Sequence, residues 1–146
     1  MDKSVAQKLL KLNAEFYQTF ATQFSETRQR IQPGVQRYLD SISKAARILD
    51  LGCGNGKLAH ELHRRGFRGQ YLGLDFSDGL LGVARSRMLN NPNYVFSEAN
   101  IAVPDWQSSI NYQPPGFDVI LAFAVLHHLP SREIHLRICR AVRDLL

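Results

Sequence analysis

Cysteine is scarce in this chain. Cys53 and Cys139 are the only two in 146 residues. Their separation fits neither a disulfide framework nor a metal knuckle, so both read as free thiols in a reducing compartment. No apolar run is long enough to cross a bilayer. The opening stretch, MDKSVAQKLLKLNAEF, sets charges among its apolar residues and lacks the unbroken core of a signal peptide. These absences argue against a membrane partner and point to the cytoplasm. Acidic side chains are the minority, 13 against 18 Lys and Arg, for a net charge of +5. Such a surface either attracts a polyanion such as RNA or is simply that of a basic soluble enzyme. There is no internal repeat and no low-complexity tract. With 45% apolar and 21% charged residues, the composition is that of one globular domain with a real core.

What is present is an alternation of helices and strands. Val5, Leu9, Leu12, Phe16, Phe20 and Phe24 recur at helical spacing, which predicts an amphipathic first helix. Pro33 and Gly34 interrupt the chain, and a short helix carrying Val35, Tyr38 and Leu39 follows. Residues 47–51 read as a short buried strand, 57–65 as a helix, and 71–75 as a second strand. Ser77 is a good N-cap for a helix holding Leu80, Leu81, Val83, Ala84 and Met88. Residues 94–96 and 117–122 read as third and fourth strands, separated by a polar loop over 104–116. A last helix is expected over 132–146. Alternating strands and helices imply an α/β fold, a parallel sheet with helices on both faces. Ligands then bind beyond the carboxyl ends of the strands.

The glycine loop between the first strand and its helix reads Gly52-Cys53-Gly54-Asn55-Gly56. Without Cβ atoms, backbone can come close to a ligand. A dinucleotide fingerprint spaces its glycines G-x-G-x-x-G; here the third arrives one residue early, which argues against a nicotinamide dehydrogenase. Asp75 ends the second strand, where a carboxylate can accept hydrogen bonds from ribose hydroxyls. That role is common to dinucleotides and adenosylmethionine.

Four segments together carry a resemblance. Residues 48–56, Asp75, residues 96–101 around Asn100, and Phe117-Asp118-Val119-Ile120 leading to Ala124-Val125-Leu126-His127-His128 resemble the successive motifs of class I S-adenosylmethionine-dependent methyltransferases. Tyr17, Ala21 and Phe24-Ser25-Glu26-Thr27-Arg28 look like the N-terminal helix of the tRNA wobble-uridine carboxymethyl methyltransferases. The chain departs from that group in having Gln32 beside Pro33 and a longer loop at 105–116. The resemblance implies a Rossmann-like fold and S-adenosyl-L-methionine as cofactor. It implies methyl transfer to tRNA or to a small metabolite, with the protein positioning the acceptor. It also implies that Gly52, Cys53, Gly54, Asn55 and Gly56 shape the amino-acid end of the cofactor site and that Asp75 holds the ribose. Phe76, Asn100 and Ile101 would frame the adenine, and Tyr17 and Arg28 would fold over the cofactor.

Several residues keep two readings. Asp50 either tunes the glycine loop and orients a positive cofactor, or is a buried acid capping backbone N–H groups. His128 is a candidate base that takes a proton from the acceptor, or it lines the pocket beside His127. A carboxylate acceptor would need no base at all. Trp106 touches adenine or packs in the core. Arg132, Arg137, Arg140 and Arg143 form a basic stripe or an ordinary solvated face. His60 and His63 fall one residue short of a zinc-protease spacing and read as a solvated face; no metal is expected.

The organisation expected is a helical cap over 1–45 and a Rossmann-like core over 46–146, with strands in the order 3-2-1-4. The resemblance implies further strands beyond the fourth, so the fold reads as truncated after that strand and its helix. The fourth strand would then be an exposed edge, open to association with another chain. A non-catalytic cofactor-binding module, or a fragment needing a partner, is the alternative to an active enzyme.

Overall fold

The computed structural model describes residues 3–27, 30–110 and 116–146. Arg28 lies outside them. The helices are α1 (Lys3–Thr27), α2 (Pro33–Ser41), α3 (Lys57–Arg64), α4 (Asp78–Arg87) and α5 (Arg132–Leu145). The strands are β1 (Arg47–Leu51), β2 (Gln70–Asp75), β3 (Tyr94–Glu98) and β4 (Val119–Leu121), with 3₁₀ turns at Trp106–Ser109 and Leu126–His128. All pairings are parallel, in the order β3-β2-β1-β4. This is the parallel α/β sheet that the alternation implied, in the Rossmann-like order that the resemblance implied.

β1, β2 and β4 lack polar alternation because both faces of the sheet are covered there, whereas β3, at one edge, alternates buried and exposed residues. Ile48 of β1 and Tyr71 of β2 point into a cluster with Leu39 of α2, Leu62 of α3 and Leu81 of α4. Leu49, Leu51 and Leu74 point the other way, against Ile134, Ile138 and Leu145 of α5. Trp106 belongs to this second cluster and is buried there, so its packing reading is the one realised. Ser77 caps α4, its side chain accepting from the Leu80 N–H.

β4 is shorter than the apolar run 117–122 suggested. The Phe117 N–H donates to the carbonyl of Leu145 at the end of α5, at 2.9 Å. The next amide, at Asp118, is the one turned to β1, and it donates to the Arg47 carbonyl at 2.9 Å. β3 is longer, because Ser97 and Glu98 continue the pairing opposite Leu74 and Asp75. No helix among the described residues is long and apolar enough to cross a membrane, and no cluster of metal-ligating side chains occurs among them.

α1 forms where the periodicity placed it, but the apolar stripe is not the face it turns inward. Val5, Leu9, Leu12, Phe16 and Phe20 are exposed. Ala6, Leu10, Asn13, Ala14 and Tyr17 are half-buried instead. The small side chains Ala6 and Ala14 allow the helix to approach, and Asn13 and Tyr17 supply polar anchors. Leu12 is 60% exposed, so Leu12→Lys is expected to change stability by no more than about 0.5 kcal/mol. Leu62→Ala in the core should cost about 2–5 kcal/mol. Thermal unfolding of the two variants checks the orientation of α1.

Candidate functional site

The site lies where the carboxyl ends of β1, β2 and β4 meet α1. β1 runs into the glycine loop, and the loop is tied down at once. The N–H groups of Gly52 and Cys53 both donate to the Leu74 carbonyl, at 2.8 and 2.9 Å. Gly52, Gly54 and Gly56 all hold positive φ, at 73°, 54° and 70°. Two of them show why glycine is needed. A Cβ on Gly56 would lie 2.8 Å from the Ala84 Cβ, so that glycine allows the loop to seat against α4. A Cβ on Gly54 would meet nothing within 4 Å. It would stand in a cavity of about 620 Å³ that Gly54 lines.

Asp75 organises this loop. One carboxylate oxygen accepts from the Gly54 N–H and the other from the Ser77 N–H, both at 2.9 Å. Burial pushes its pKa up, and the backbone donors at Ser77, Gly54 and Phe76 pull it back. Each oxygen has a second lone pair, so Asp75 can still accept from ligand hydroxyls. Asp50 is more deeply buried, at 1% exposure, and accepts from the Tyr71 hydroxyl. Its pKa is pushed up to about 7, chiefly by burial and further by the nearby Asp75, while the Tyr71 bond opposes the rise. Its observed partner is thus a side-chain hydroxyl from β2. Burial also pushes the Cys53 thiol well up, which keeps it unreactive.

α1 roofs the cavity. The Tyr17 hydroxyl bonds His128 Nε2 at 2.8 Å, and the Tyr17 ring meets the edge of Phe76 at 5.9 Å between centroids. Asn13 Nδ2 donates to the His128 carbonyl at 3.0 Å. Asn100 closes its own turn by accepting from the Ala102 N–H at 3.0 Å. Of the site residues expected from the sequence, Tyr17, Asp50, Gly52, Cys53, Gly54, Asn55, Asp75, Phe76, Asn100, Ile101 and His128 face the cavity. Gly56 supports the loop from behind, against α4. Arg137 fits neither the basic-stripe nor the solvated-face reading: it is half-buried and donates to the Ala102 carbonyl. Arg132, Arg140 and Arg143 remain on the solvated face.

The cavity also has walls that the motifs did not name, Leu10, Asn13 and Ala14 of α1 and Phe123 after β4, beside Ala124 and Val125 of the fourth motif. The α1 set had a signal. Residues 10, 13, 14 and 17 form a second helical stripe beside the more apolar one. The positive φ of 54° at Ala124 had none, because it is a tertiary consequence.

A volume near 600 Å³ is that of a cofactor pocket. A backbone cradle at Gly54, a hydroxyl-accepting carboxylate at Asp75 and an acid at Asp50 that a nearby cation would ionise all suit a nucleoside carrying positive charge. The fold and site define a class I methyltransferase domain. The chain belongs to the family described as "Methyltransferase domain", which matches residues 42–144, and the cofactor of this class is S-adenosyl-L-methionine.

The chain is 31% identical over 140 residues to a tRNA (carboxymethyluridine(34)-5-O)-methyltransferase of Saccharomyces cerevisiae, covering 94% of this chain and 44% of that protein. It is 39% identical over 89 residues to a trans-aconitate 2-methyltransferase of Methylobacterium nodulans, covering 61% of this chain and 31% of that one. The magnesium protoporphyrin IX methyltransferase of Synechocystis, solved with S-adenosylhomocysteine bound, has the same fold at 19% identity. Its TM-score is 0.61, over 92% of this chain and 67% of the other. The chain thus spans less than half the length of the two curated relatives.

Gly54→Val tests the cradle. The new side chain meets no protein atom at its Cβ, so the fold should lose only about 1–2 kcal/mol for a left-handed non-glycine residue. Binding of S-adenosylhomocysteine should fall at least about tenfold, because the valine occupies ligand space. Calorimetry and thermal unfolding on the same sample separate the two effects.

Proposed function

We propose that this domain binds S-adenosylmethionine and carries its methyl group to a carboxylate, the acceptor being a carboxymethylated tRNA wobble uridine. The carrying observation is the extent of the likeness. The match to the yeast tRNA enzyme takes in 94% of this chain, whereas the trans-aconitate match covers 61%. A match of that extent has to include most of α1, the roof of the cavity. The net charge of +5 also suits an RNA acceptor.

When bound, the cofactor supplies an electrophilic methyl group on a sulfonium. The chain's own residues do the rest by placement. Gly52, Gly54 and Asn55 floor the cavity, Asp75 accepts from the ribose, and Phe76, Asn100 and Ile101 border the adenine. Tyr17 and His128 close the side under α1. A carboxylate acceptor is already ionised near neutrality. His128 then has no proton to remove, and its contribution is to hold the wall of the site. Alignment alone is a large catalytic term, with effective molarities up to roughly 10⁵–10⁸ M.

A second reading is favoured by β4 standing at the sheet edge: the domain binds cofactor but transfers the methyl only with further structure or a partner. Incubation with methyl-labelled cofactor and either tRNA bearing carboxymethyluridine or trans-aconitate tests both. The proposal requires label in RNA that mild alkali releases, as a methyl ester demands. Label in trans-aconitate alone would overturn the RNA acceptor, and binding without turnover would favour the second reading.

A further inference from the structure

α1 is a thinly attached roof. Val5, Leu9, Leu12, Phe16 and Phe20 face solvent. Among its described side chains, the inner face offers the half-buried Ala6, Leu10, Asn13, Ala14 and Tyr17. A helix that buries so little apolar surface relies on its other anchors. Two polar anchors lie one turn apart, and both end on a single residue of the opposite wall. Asn13 Nδ2 donates to the His128 main-chain carbonyl at 3.0 Å. The Tyr17 hydroxyl bonds His128 Nε2 at 2.8 Å. Only the amide nitrogen of Asn13 can donate, so the orientation of its side chain is set.

The segment that receives these bonds is itself under constraint. Ala124, which leads into the 3₁₀ turn Leu126–His128, sits at φ 54°. A non-glycine residue keeps that conformation only where its surroundings impose it. The His127 ring lies 3.9 Å from the His128 ring, centroid to centroid, and Tyr17 meets the His128 ring nearly at right angles. The imidazole is thus bordered by a ring on the turn and a ring on α1, and its main chain is held by Asn13.

We propose that Asn13 is a positioning residue: its amide fixes the main chain at His128, and this sets the imidazole against the Tyr17 hydroxyl and holds α1 closed over the cavity. Asn13 acts through His128. With Nε2 engaged by Tyr17, any proton that His128 exchanges with another group passes through Nδ1 or through the Tyr17 hydroxyl. The reading of the cavity as a cofactor site enters only the binding half of the test.

The test uses the whole 146-residue chain and two variants. Asn13→Asp is nearly isosteric, removes the donor and sets a carboxylate against the carbonyl. Asn13→Ala removes the donor without adding charge and keeps good helix propensity. Long-range ¹H–¹⁵N spectra of the histidine rings report on His128, with Tyr17→Phe as the reference for a released ring. Calorimetry with S-adenosylhomocysteine reports on closure. The ring signals of His128 should move toward those of Tyr17→Phe in both variants. Affinity should fall about three- to tenfold, the worth of one or two hydrogen bonds, with the melting temperature shifting by only a few degrees. The Asn13→Ala, Tyr17→Phe double variant should bind about as weakly as the weaker single one, because both bonds act through His128.

Unmoved His128 signals would overturn the inference. So would weakened binding with those signals unmoved, which would make Asn13 a direct ligand contact. If the unaltered chain fails to bind S-adenosylhomocysteine while Asn13→Ala still shifts the His128 signals, the cofactor reading falls and the positioning role stands.

Discussion

Asp75→Ala is expected to reduce S-adenosylhomocysteine binding by about a hundredfold or more while leaving a folded chain. The substitution removes two kinds of interaction together. The carboxylate accepts from the Gly54 and Ser77 N–H groups, which shapes the glycine loop before any ligand arrives. It also offers the remaining lone pairs to ligand hydroxyls. Hydrogen bonds to a charged group are worth about 1.5–3 kcal/mol each. Losing a ligand bond and loosening the loop together puts the expected loss at about 3 kcal/mol or more. Asp75→Asn is no rescue, since one of its amide faces would set a donor against a backbone donor. Calorimetric titration of both variants, with circular dichroism as the check on folding, gives the result. Near-normal affinity in a folded Asp75→Ala chain would remove Asp75 from the site.

The second large effect is one of pH. Asp50 sits fully buried on β1 with its pKa pushed up to about 7, against 3.8 for an unperturbed aspartate. A carboxyl whose folded pKa lies above its unfolded value binds more protons in the folded state. Stability of the ligand-free chain is therefore highest below about pH 4 as far as this group is concerned, and it falls as pH rises to about 7. The full linkage amounts to about 4 kcal/mol at most. A cation in the cavity that Asp50 lines should favour its ionised form. Binding of S-adenosylmethionine should then release protons near pH 6.5 and tighten as pH rises toward 8, by up to about tenfold. Asp50→Asn should flatten both the stability profile and the binding profile. Proton release, read as a dependence of calorimetric heat on buffer ionisation, checks the sign. Uptake of protons, or an unchanged profile in Asp50→Asn, would show that Asp50 is not the titrating group.

The parts of this fold that could be read from the sequence are those that local physics over-determines. β1 is five residues of which four are buried, and three of those four, Ile48, Leu49 and Leu51, are apolar, as a strand covered on both sides favours. The glycines follow it because the loop needs positive φ at three positions. Ser77 and the apolar run after it could only start a helix. Asp75 was legible because a carboxylate ending an apolar strand is costly unless it has partners. The strand order followed from the family resemblance, and the structure has that order.

The rest depended on tertiary choices that leave no local mark. α1 has two helical stripes. The more apolar one faces solvent because the less apolar one carries Asn13 and Tyr17, whose partners lie more than a hundred residues away at His128. Hydropathy favours the wrong stripe when a helix is anchored by hydrogen bonds. β4 pairs with β1 only over Val119–Leu121, less than its apolar run, and the Phe117 amide beside it goes to the end of α5. Trp106 sits in a 3₁₀ turn within a stretch that reads as polar loop, yet it is buried against α5 and the sheet. Ala124 took up a left-handed conformation that nothing in its side chain favours.

Titration of the purified chain with S-adenosylhomocysteine, with NADH as the control, tests the central claim most directly. The expected result is saturable binding of the former and none of the latter. The sequence spaces its glycines one residue short of a dinucleotide fingerprint, and the cradle at Gly54, Asp75 and the α1 roof suit a nucleoside cofactor. Saturable binding of NADH, or no binding of S-adenosylhomocysteine by a folded chain, would contradict the assignment of this cavity.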